Sequence, residues 1–444
     1  MKIYRYIALV LGLSAATSCN VLDVTSQDAI PANEVFKDKA GIERGILGAY
    51  SSLQSLSYYG RNYAIFADLA ADNLQHPPNA TSVAFAEIDN NAILPENSAI
   101  DGVWSAIYDG INVTNNVIAQ VPNVSGMTQA EKDAALGELY FLRALHHFNL
   151  MNYFGAIPVK TTPTVGVANV DVPRDQPAAV YAQIVQDLTF AVDHLPKGGS
   201  KVRANGLSAQ ALLSRVRLYQ REYAAAYDAA TGVITSTQYS LPAQYADVFA
   251  ADGSAETIFE VDFLALDRNR IAEYNFPLTL NGRYEVAPTP GVLAAYESGD
   301  QRKNVSANTS GALPYAIKYD DLSTGGDNFI VLRLAEMYLN RAEAVIAMNN
   351  GGLDNVRSDI NAVRRRAGLS DVTSNDPLVL LQVIEEERRR EFAFEGHRWF
   401  DLVRTNRALE VLPTVTSSNQ LLFPIPLSEM LTNKHTGMYQ NPGY

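Results

Sequence analysis

Apolar residues recur along most of this chain at spacings of three and four, the period of an amphipathic helix. Residues 38–57 carry Ile42, Gly45, Ile46, Ala49, Tyr50 and Leu53 in that rhythm. Residues 97–121 follow Pro95 with an Asn/Ser start signal and place Ile100, Val103, Trp104, Ile107 and Ile111 on one stripe. Thr128 with Glu131 three residues later is a capping box, which opens a predicted helix over 128–154. Another is predicted over 177–194, with Pro177 at its start and Pro196 past its end. Two helix pairs follow: 208–221 with 223–236, and 329–348 with 353–367 across a turn at 349–352. Ala211, Leu218, Tyr219, Tyr223, Ala226 and Tyr227 give the first pair the look of a tetratricopeptide hairpin. The whole pattern predicts a mainly α protein of about four tetratricopeptide-like helix pairs, forming a right-handed superhelical scaffold.

The segments between the helices are a different material. Residues 58–95, 157–173 and 241–324 are rich in Asn, Pro, Gly, Tyr and Phe, with short strand-like runs at 257–263 and 315–319. Long irregular segments inside a folded chain are usually functional, so a binding surface is expected there. The helical scaffold is therefore placed at about 38–57, 97–240 and 328–410, and ligand-binding insertions at about 58–96 and 241–327.

Residues 1–19 read as a secretion signal: Lys2 and Arg5, an apolar run over 6–13, small residues over 15–18, then Cys19. The run is too short to span a bilayer, which takes about 20 apolar residues. Cys19 is the sole cysteine, which excludes internal disulfides and thiolate metal sites. Small residues ahead of it fit a bacterial lipoprotein signal, with cleavage before Cys19 and a lipid on its thiol. Residues 1–18 are expected to be removed and 19–444 to form one domain, anchored to a membrane without crossing it. Lys and Arg number 35 against 48 Asp and Glu, a net charge of −13 at pH 7, and no basic block occurs. Nucleic acid is therefore not an expected partner.

The densest chemistry lies in 385–404, EEERRREFAFEGHRWFDLVR. Read as one helix, it puts Arg388, Glu391, Glu395 and Arg398 on a single face of mixed charge, with Phe392, Phe394, Trp399 and Phe400 around them. Arg333, Glu336, Asn340 and Glu343 repeat that spacing and offer a complement. Carboxylates with an arginine always near suggest partly buried ion pairs more than an acid/base set with His397. His146 and His147 are adjacent, so on a helix they diverge by about 100° and cannot readily grip one ion. Asp68, Asp72 and Asn73 lack the glycine and terminal glutamate of a calcium loop. No HExxH, GxSxG, Walker or dinucleotide glycine motif occurs, and no metal or cofactor is expected.

The run ERRREFAFEGHRWFDLVR resembles the C-terminal signature of the SusD/RagB family of outer-membrane nutrient-binding lipoproteins. VLRLAEMYLNRAEA at 331–344, RALHHFNLMNYFGAIPV at 143–159 and the signal ending in Cys19 are similar to that family as well. The resemblance implies tetratricopeptide-like helices, an irregular ligand-binding region, and no catalysis. It also implies a lid-like place on a SusC-type TonB-dependent transporter at the cell surface, with capture of glycans or, in some members, peptides. By position, ligand contacts would fall in 58–104 and 267–300.

Tyrosine is the prominent aromatic, 23 against two tryptophans, and its ring offers a flat face to sugar C–H groups and a hydroxyl for hydrogen bonds. The expected ligand residues are Tyr58, Tyr59, Arg61, Asp72, Asn73, Tyr274 and Tyr284; Trp104 is read as core. An acidic surface repels polyanions unless Arg61, Arg268, Arg270 and Arg283 gather locally, so a neutral oligosaccharide is favoured. Capture of a peptide, a scaffold that binds only protein, and a hydrolase with paired carboxylates are the competing readings.

Overall fold

The computed structural model describes residues 35–166, 169–349 and 351–444. The expected signal peptide and the lipid-bearing Cys19 lie outside the described residues.

Several of the long helices begin where a side chain satisfies their first backbone N–H groups. The Asp38 carboxylate accepts from Gly41 N at 2.8 Å and opens α1 (Lys39–Ser51). Two short helices follow, α2 (Asn62–Leu69) and α3 (Val83–Asp89), in a stretch expected to be irregular. Both are brief, and α2 is buried on every side, so no amphipathic stripe marked it. Asn97 accepts from Ala99 N and Ile100 N and opens α4 (Ser98–Gln120). The Thr128–Glu131 capping box forms and opens α5 (Gln129–Phe154). Then come α6 (Pro177–His194), α7 (Gly206–Tyr219) and α8 (Tyr223–Thr235). A single turn, α9 (Ile271–Asn275), lies in the second insertion. The C-terminal third supplies α10 (Leu334–Met348), α11 (Leu353–Arg366), α12 (Pro377–Glu391) and α13 (Arg398–Arg404). Neighbours in sequence pack against one another from α4 through α8, and α8 then packs on α10, so the array is continuous.

Three two-stranded antiparallel ribbons stitch the insertions to this array. Strand β1 (Leu74–Gln75) is in the first insertion and β2 (Thr257–Val261) begins the second. They are followed by β3 (Ala287–Pro288), β4 (Ala307–Ser310), β5 (Leu313–Ala316) and β6 (Phe329–Arg333). Pairing of Leu74 with Pro288 joins the two insertions directly. Pairing of β2 with β6 corrects one expectation, since 329–333 was read as the start of a helix. Its Phe-Ile-Val-Leu run is aromatic and β-branched and buried on both faces, which suits a strand, and the helix starts only at Leu334.

The C-terminal signature is also not one helix. After Glu391 the chain turns, with Phe394 at φ +67° and Gly396 at φ +78°, before α13. A side chain at Gly396 would sit 3.3 Å from the Ala64 backbone, and its N–H donates to Asp68 at 2.9 Å. The four charged residues therefore do not share a face; Arg398 turns away to Asp72 (2.7 Å) and Arg388 to Asp401 (2.9 Å) and Asn340 (2.8 Å). Their burial as ion pairs holds. Glu391 is fully buried and accepts from Arg333 (2.5 Å), Arg366 and Arg302 (3.1 Å). Arg333 also binds Glu256 (2.7 Å) and Glu395 (2.7 Å), and Lys318 binds Glu395 (2.7 Å). Burial alone would raise the Glu391 carboxyl; the three guanidinium groups outweigh it and hold the group well below the carboxylate range.

Removing one partner from such a cluster leaves buried charge uncompensated, at a cost of about 3–5 kcal/mol. Glu391→Ala is expected to lose that much in denaturant unfolding. Because the folded pKa lies below the ordinary 4.5, the contribution is complete above that pH and is lost as pH falls. An unchanged unfolding midpoint in Glu391→Ala would show that the cluster is not what holds the C-terminal third.

Candidate functional site

The sequence-expected residues of the first insertion fall mostly into the interior. Tyr58 has no exposed surface and Tyr59 only 2%, and Asn149 Nδ2 donates to both hydroxyls, at 2.6 and 2.8 Å. Tyr63 donates to the Asn149 carbonyl oxygen at 2.8 Å. A ring enclosed on both faces has none to offer a sugar, so Tyr58 and Tyr59 are core residues, a correction to their expected role. Asn73 is equally enclosed: its amide donates to Asp68 (2.7 Å) and its oxygen accepts from Arg389 (3.1 Å). Asp72 is partly exposed, yet its carboxylate is taken by Arg398 (2.7 Å) and Arg389 (2.9 Å). These two residues fasten the first insertion to the C-terminal signature. Trp104 packs edge-on against Phe154 in the core, as expected.

Arg61 and Tyr274 do meet. The Arg61 guanidinium carbon lies 3.9 Å from the centre of the Tyr274 ring, and that of Arg283 lies 5.0 Å from the same centre. The ring is held from its own backbone, because Tyr274 O accepts from Glu285 N (2.9 Å) and Val286 N (3.2 Å). Gly282 lets the chain return there: a Cβ would approach Phe276 O to 2.0 Å. Beside this pair opens a concavity of about 520 Å³, lined by Arg268, Arg270, Glu273, Asn281, Arg283 and the 322–323 turn. The arginines that sequence reasoning required to gather for an anion do gather. Tyr284 is half-buried at φ +55°, donates its hydroxyl to Pro314 O (3.0 Å), and stands outside this lining. Glu273 and Asn281 were not anticipated; both precede the Gly282 turn, Glu273 in α9 and Asn281 next to the glycine, where no periodicity relates residues that a loop brings together.

Arg61 is the least balanced charge of the group. Its Nε donates to Asn62 (2.6 Å), but among the described residues its two terminal nitrogens have no acceptor and no carboxylate within 4.0 Å. Burial pulls its pKa down, Tyr274 and Glu273 oppose that, and Arg283 and Arg270 add to it. A second concavity, of about 440 Å³, lies between α4 and the 158–172 segment. Its polar groups are committed to structure: Tyr108 donates to Pro158 O (2.9 Å), Asn115 to Lys160 O (3.0 Å), and Asn112 accepts from Thr164 N (2.9 Å). The arginine-lined concavity of the second insertion is the candidate site.

A SusD family model matches residues 296–414, and a model described as starch-binding associating with outer membrane matches 20–218. The chain belongs to the SusD/RagB family. SusD-like protein P2 of Formosa agariphila is 25% identical, with all of both chains covered. Among solved structures, a SusD superfamily protein from Bacteroides vulgatus superposes with a TM-score of 0.83 at 20% identity, covering 92% of this chain and 100% of that one. A laminarin-binding SusD-like protein superposes at 0.81 with 27% identity and the same coverage. The SusD fold accounts for the helical array and for placing the insertions together on it.

His146 and His147, weighed as metal ligands, are interior residues of α5, and burial pushes both pKa values down to about 3. Unfolded, they protonate near 6.5, so their contribution to stability is present above that pH and is lost as pH falls toward 3, by about 1.4 kcal/mol per unit per histidine. Asp68 works the other way: burial raises it from 3.8 to about 6, so its contribution is lost as pH rises between those values. Below pH 6 Asp68 offsets one of the two histidines, so the melting temperature should fall steadily from pH 6.5 to 4, with a net loss of about 1.4 kcal/mol per unit. His146→Gln should flatten the decline; an identical pH profile would show that the histidine is not buried in its neutral form.

Proposed function

We propose that this chain is a glycan-binding lipoprotein of the outer cell surface. It is anchored by a lipid on Cys19, captures an oligosaccharide in the concavity of its second insertion, and delivers it to a SusC-type TonB-dependent transporter. The observation that carries the reading is the site itself: an open concavity beside a fixed tyrosine, held on a helical array of SusD type. Sugar capture is in keeping with the laminarin-binding relative and with the outer-membrane, starch-binding description of the family model. Catalysis is disfavoured by the lining, in which Glu273 is the single carboxylate among the described residues. Glycoside hydrolysis needs two, roughly 5–10 Å apart.

A lid must release what it captures, so affinity should be modest, roughly −8 to −4 kcal/mol, or micromolar to millimolar. Calorimetry with an oligosaccharide panel is the test. Tyr274→Ala should weaken binding by about 1 kcal/mol through loss of the buried ring that packs against the Arg61 and Arg283 guanidinium groups. Tyr58→Ala should lower the melting temperature while the folded fraction keeps its affinity. Binding abolished in Tyr58→Ala and unchanged in Tyr274→Ala would place the site elsewhere. Cys19→Ala should move the protein from the membrane to the soluble fraction; continued sedimentation with membranes would refute the anchor.

A further inference from the structure

The charge of the candidate concavity runs against that of the molecule. The chain carries a net −13, yet Arg268, Arg270 and Arg283 line one hollow and Arg61 shares the Tyr274 ring with Arg283. The acidic groups nearby do not cancel them. Glu273 reaches only Arg270, at 3.6 Å. Glu285 approaches Arg283 no closer than 4.0 Å and accepts from Thr81 N (2.8 Å), Thr81 Oγ1 (2.6 Å) and Ser82 N (2.9 Å) instead. On the 320–327 wall, Asp321 spends its oxygens on the N–H groups of Ser323 (3.1 Å), Thr324 (2.9 Å) and Gly326 (2.9 Å) and on two hydroxyls, and Asp327 accepts from Asp321 N (2.7 Å). Asp267 is exposed at the neighbouring turn and makes no ion pair among the described residues.

Backbone contacts place the arginines, and their pairing with these carboxylates stays loose. Arg268 Nη2 donates to Leu322 O (3.0 Å) and Ser323 O (3.1 Å), and its buried Nε has no partner among the described residues. Arg270 N donates to Gly60 O (2.9 Å) and Arg283 N to Glu273 O (2.6 Å), which fixes where both side chains start. The side chains of Arg270 and Arg283 are 42% and 52% exposed, so their guanidinium donors are open to solvent. Exposed guanidinium donors at fixed starting points match a planar carboxylate or a sulfate borne on a sugar ring. Buried arginines such as Arg302, Arg333 and Arg366 are held by close carboxylates at 2.7 Å or less. At the concavity the ion pairs are longer, 3.6 Å for Arg270 and 4.0 Å for Arg283, and leave guanidinium donors open to a ligand.

We infer that the concavity selects an anionic oligosaccharide, one bearing uronate or sulfate groups, with Arg270 and Arg283 as the residues that discriminate it from a neutral glycan. This rests on the proposed glycan-binding reading and replaces the neutral ligand that net charge alone favoured. Tyr274 is buried beneath the Arg61 guanidinium and backs the site, while the exposed guanidinium groups of Arg270 and Arg283 take the acid group of the sugar.

Three sets of probes separate the possibilities in calorimetry: oligogalacturonate of four to six units, the same oligomers with their carboxyls reduced to alcohols, and neutral laminari-oligosaccharides. Binding to oligogalacturonate is expected, weakened about tenfold by raising salt from 50 to 500 mM, because exposed charges are screened within a few ångströms there. Arg283→Gln and Arg270→Gln should each weaken it by about tenfold and leave the melting temperature unchanged. They are the variants of choice because Arg61→Gln, in a nearly buried residue, risks the fold. The reduced oligomer should not bind. Salt-insensitive binding of laminari-oligosaccharides or the reduced oligomer, unchanged in both variants, would overturn this inference and leave the glycan-binding reading intact. Binding of acidic peptides with no oligosaccharide bound from any set would overturn both.

Discussion

The folded C-terminal third depends on keeping one carboxylate, that of Glu391, ionised inside the protein. Arg302 reaches it from the second insertion, Arg333 from the junction of β6 and α10, and Arg366 from the last turn of α11. Each cation carries a further carboxylate with it: Asp300 and Glu387 for Arg302, Glu395 and Glu256 for Arg333, Glu256 again for Arg366. Such a cluster adds less net stability than its many contacts suggest, because desolvating the ions cancels much of their attraction. What it does add is intolerance of any other arrangement. If one segment shifts, a full charge is stranded in the interior. The charged signature 385–404 thus works as a registration device for chain segments far apart in sequence.

A second set of charges extends that registration to the ligand side. Asp68 accepts from Gly396 N and Asp72 from Arg398 and Arg389, so the turn between α12 and α13 is tied to the first insertion. The first insertion is tied in turn to the second by the β1–β3 ribbon and by Thr289 N, which donates to Asn73 O at 2.9 Å. The loops that bear Arg61, Tyr274 and Arg283 are therefore braced from the buried ion cluster outward. Precise placement of donors on loops needs this kind of support, since loops left to themselves sample many positions.

The sequence made several long helices legible because they announce their own starts. Asp38, Asn97 and the Thr128–Glu131 box cap where the pattern places them, and α6 has the bounds its flanking prolines suggest. Legibility failed where tertiary context decides. Residues 329–333 continue into a helical pattern yet pair with β2, and the break at 392–396 is set by Gly396 meeting Ala64, a contact no local pattern encodes. The same limit governed the site. Tyr58 and Tyr59 share the composition of a binding loop but are drawn inward by Asn149, which lies about ninety residues away. Arg61 and Tyr274 could be nominated from composition, but only the fold puts one guanidinium against that ring.

Two kinds of arginine emerge from this arrangement, and the difference between them explains how one chain can be both rigid and receptive. Arginines of the buried ion cluster are matched closely by carboxylates on their own chain, so their electrostatic needs are met on folding. Those at the concavity are placed by backbone hydrogen bonds and by the Tyr274 ring, with only long ion pairs to Glu273 and Glu285. The energetic consequence is opposite: the interior set resists change, while the concavity retains unmet donors that an incoming anion can satisfy without rearranging the fold. Because the acidic remainder of the surface repels anions, that attraction is confined to the hollow. Locality of this kind gives specificity without great affinity, in keeping with the proposed capture and release of a ligand.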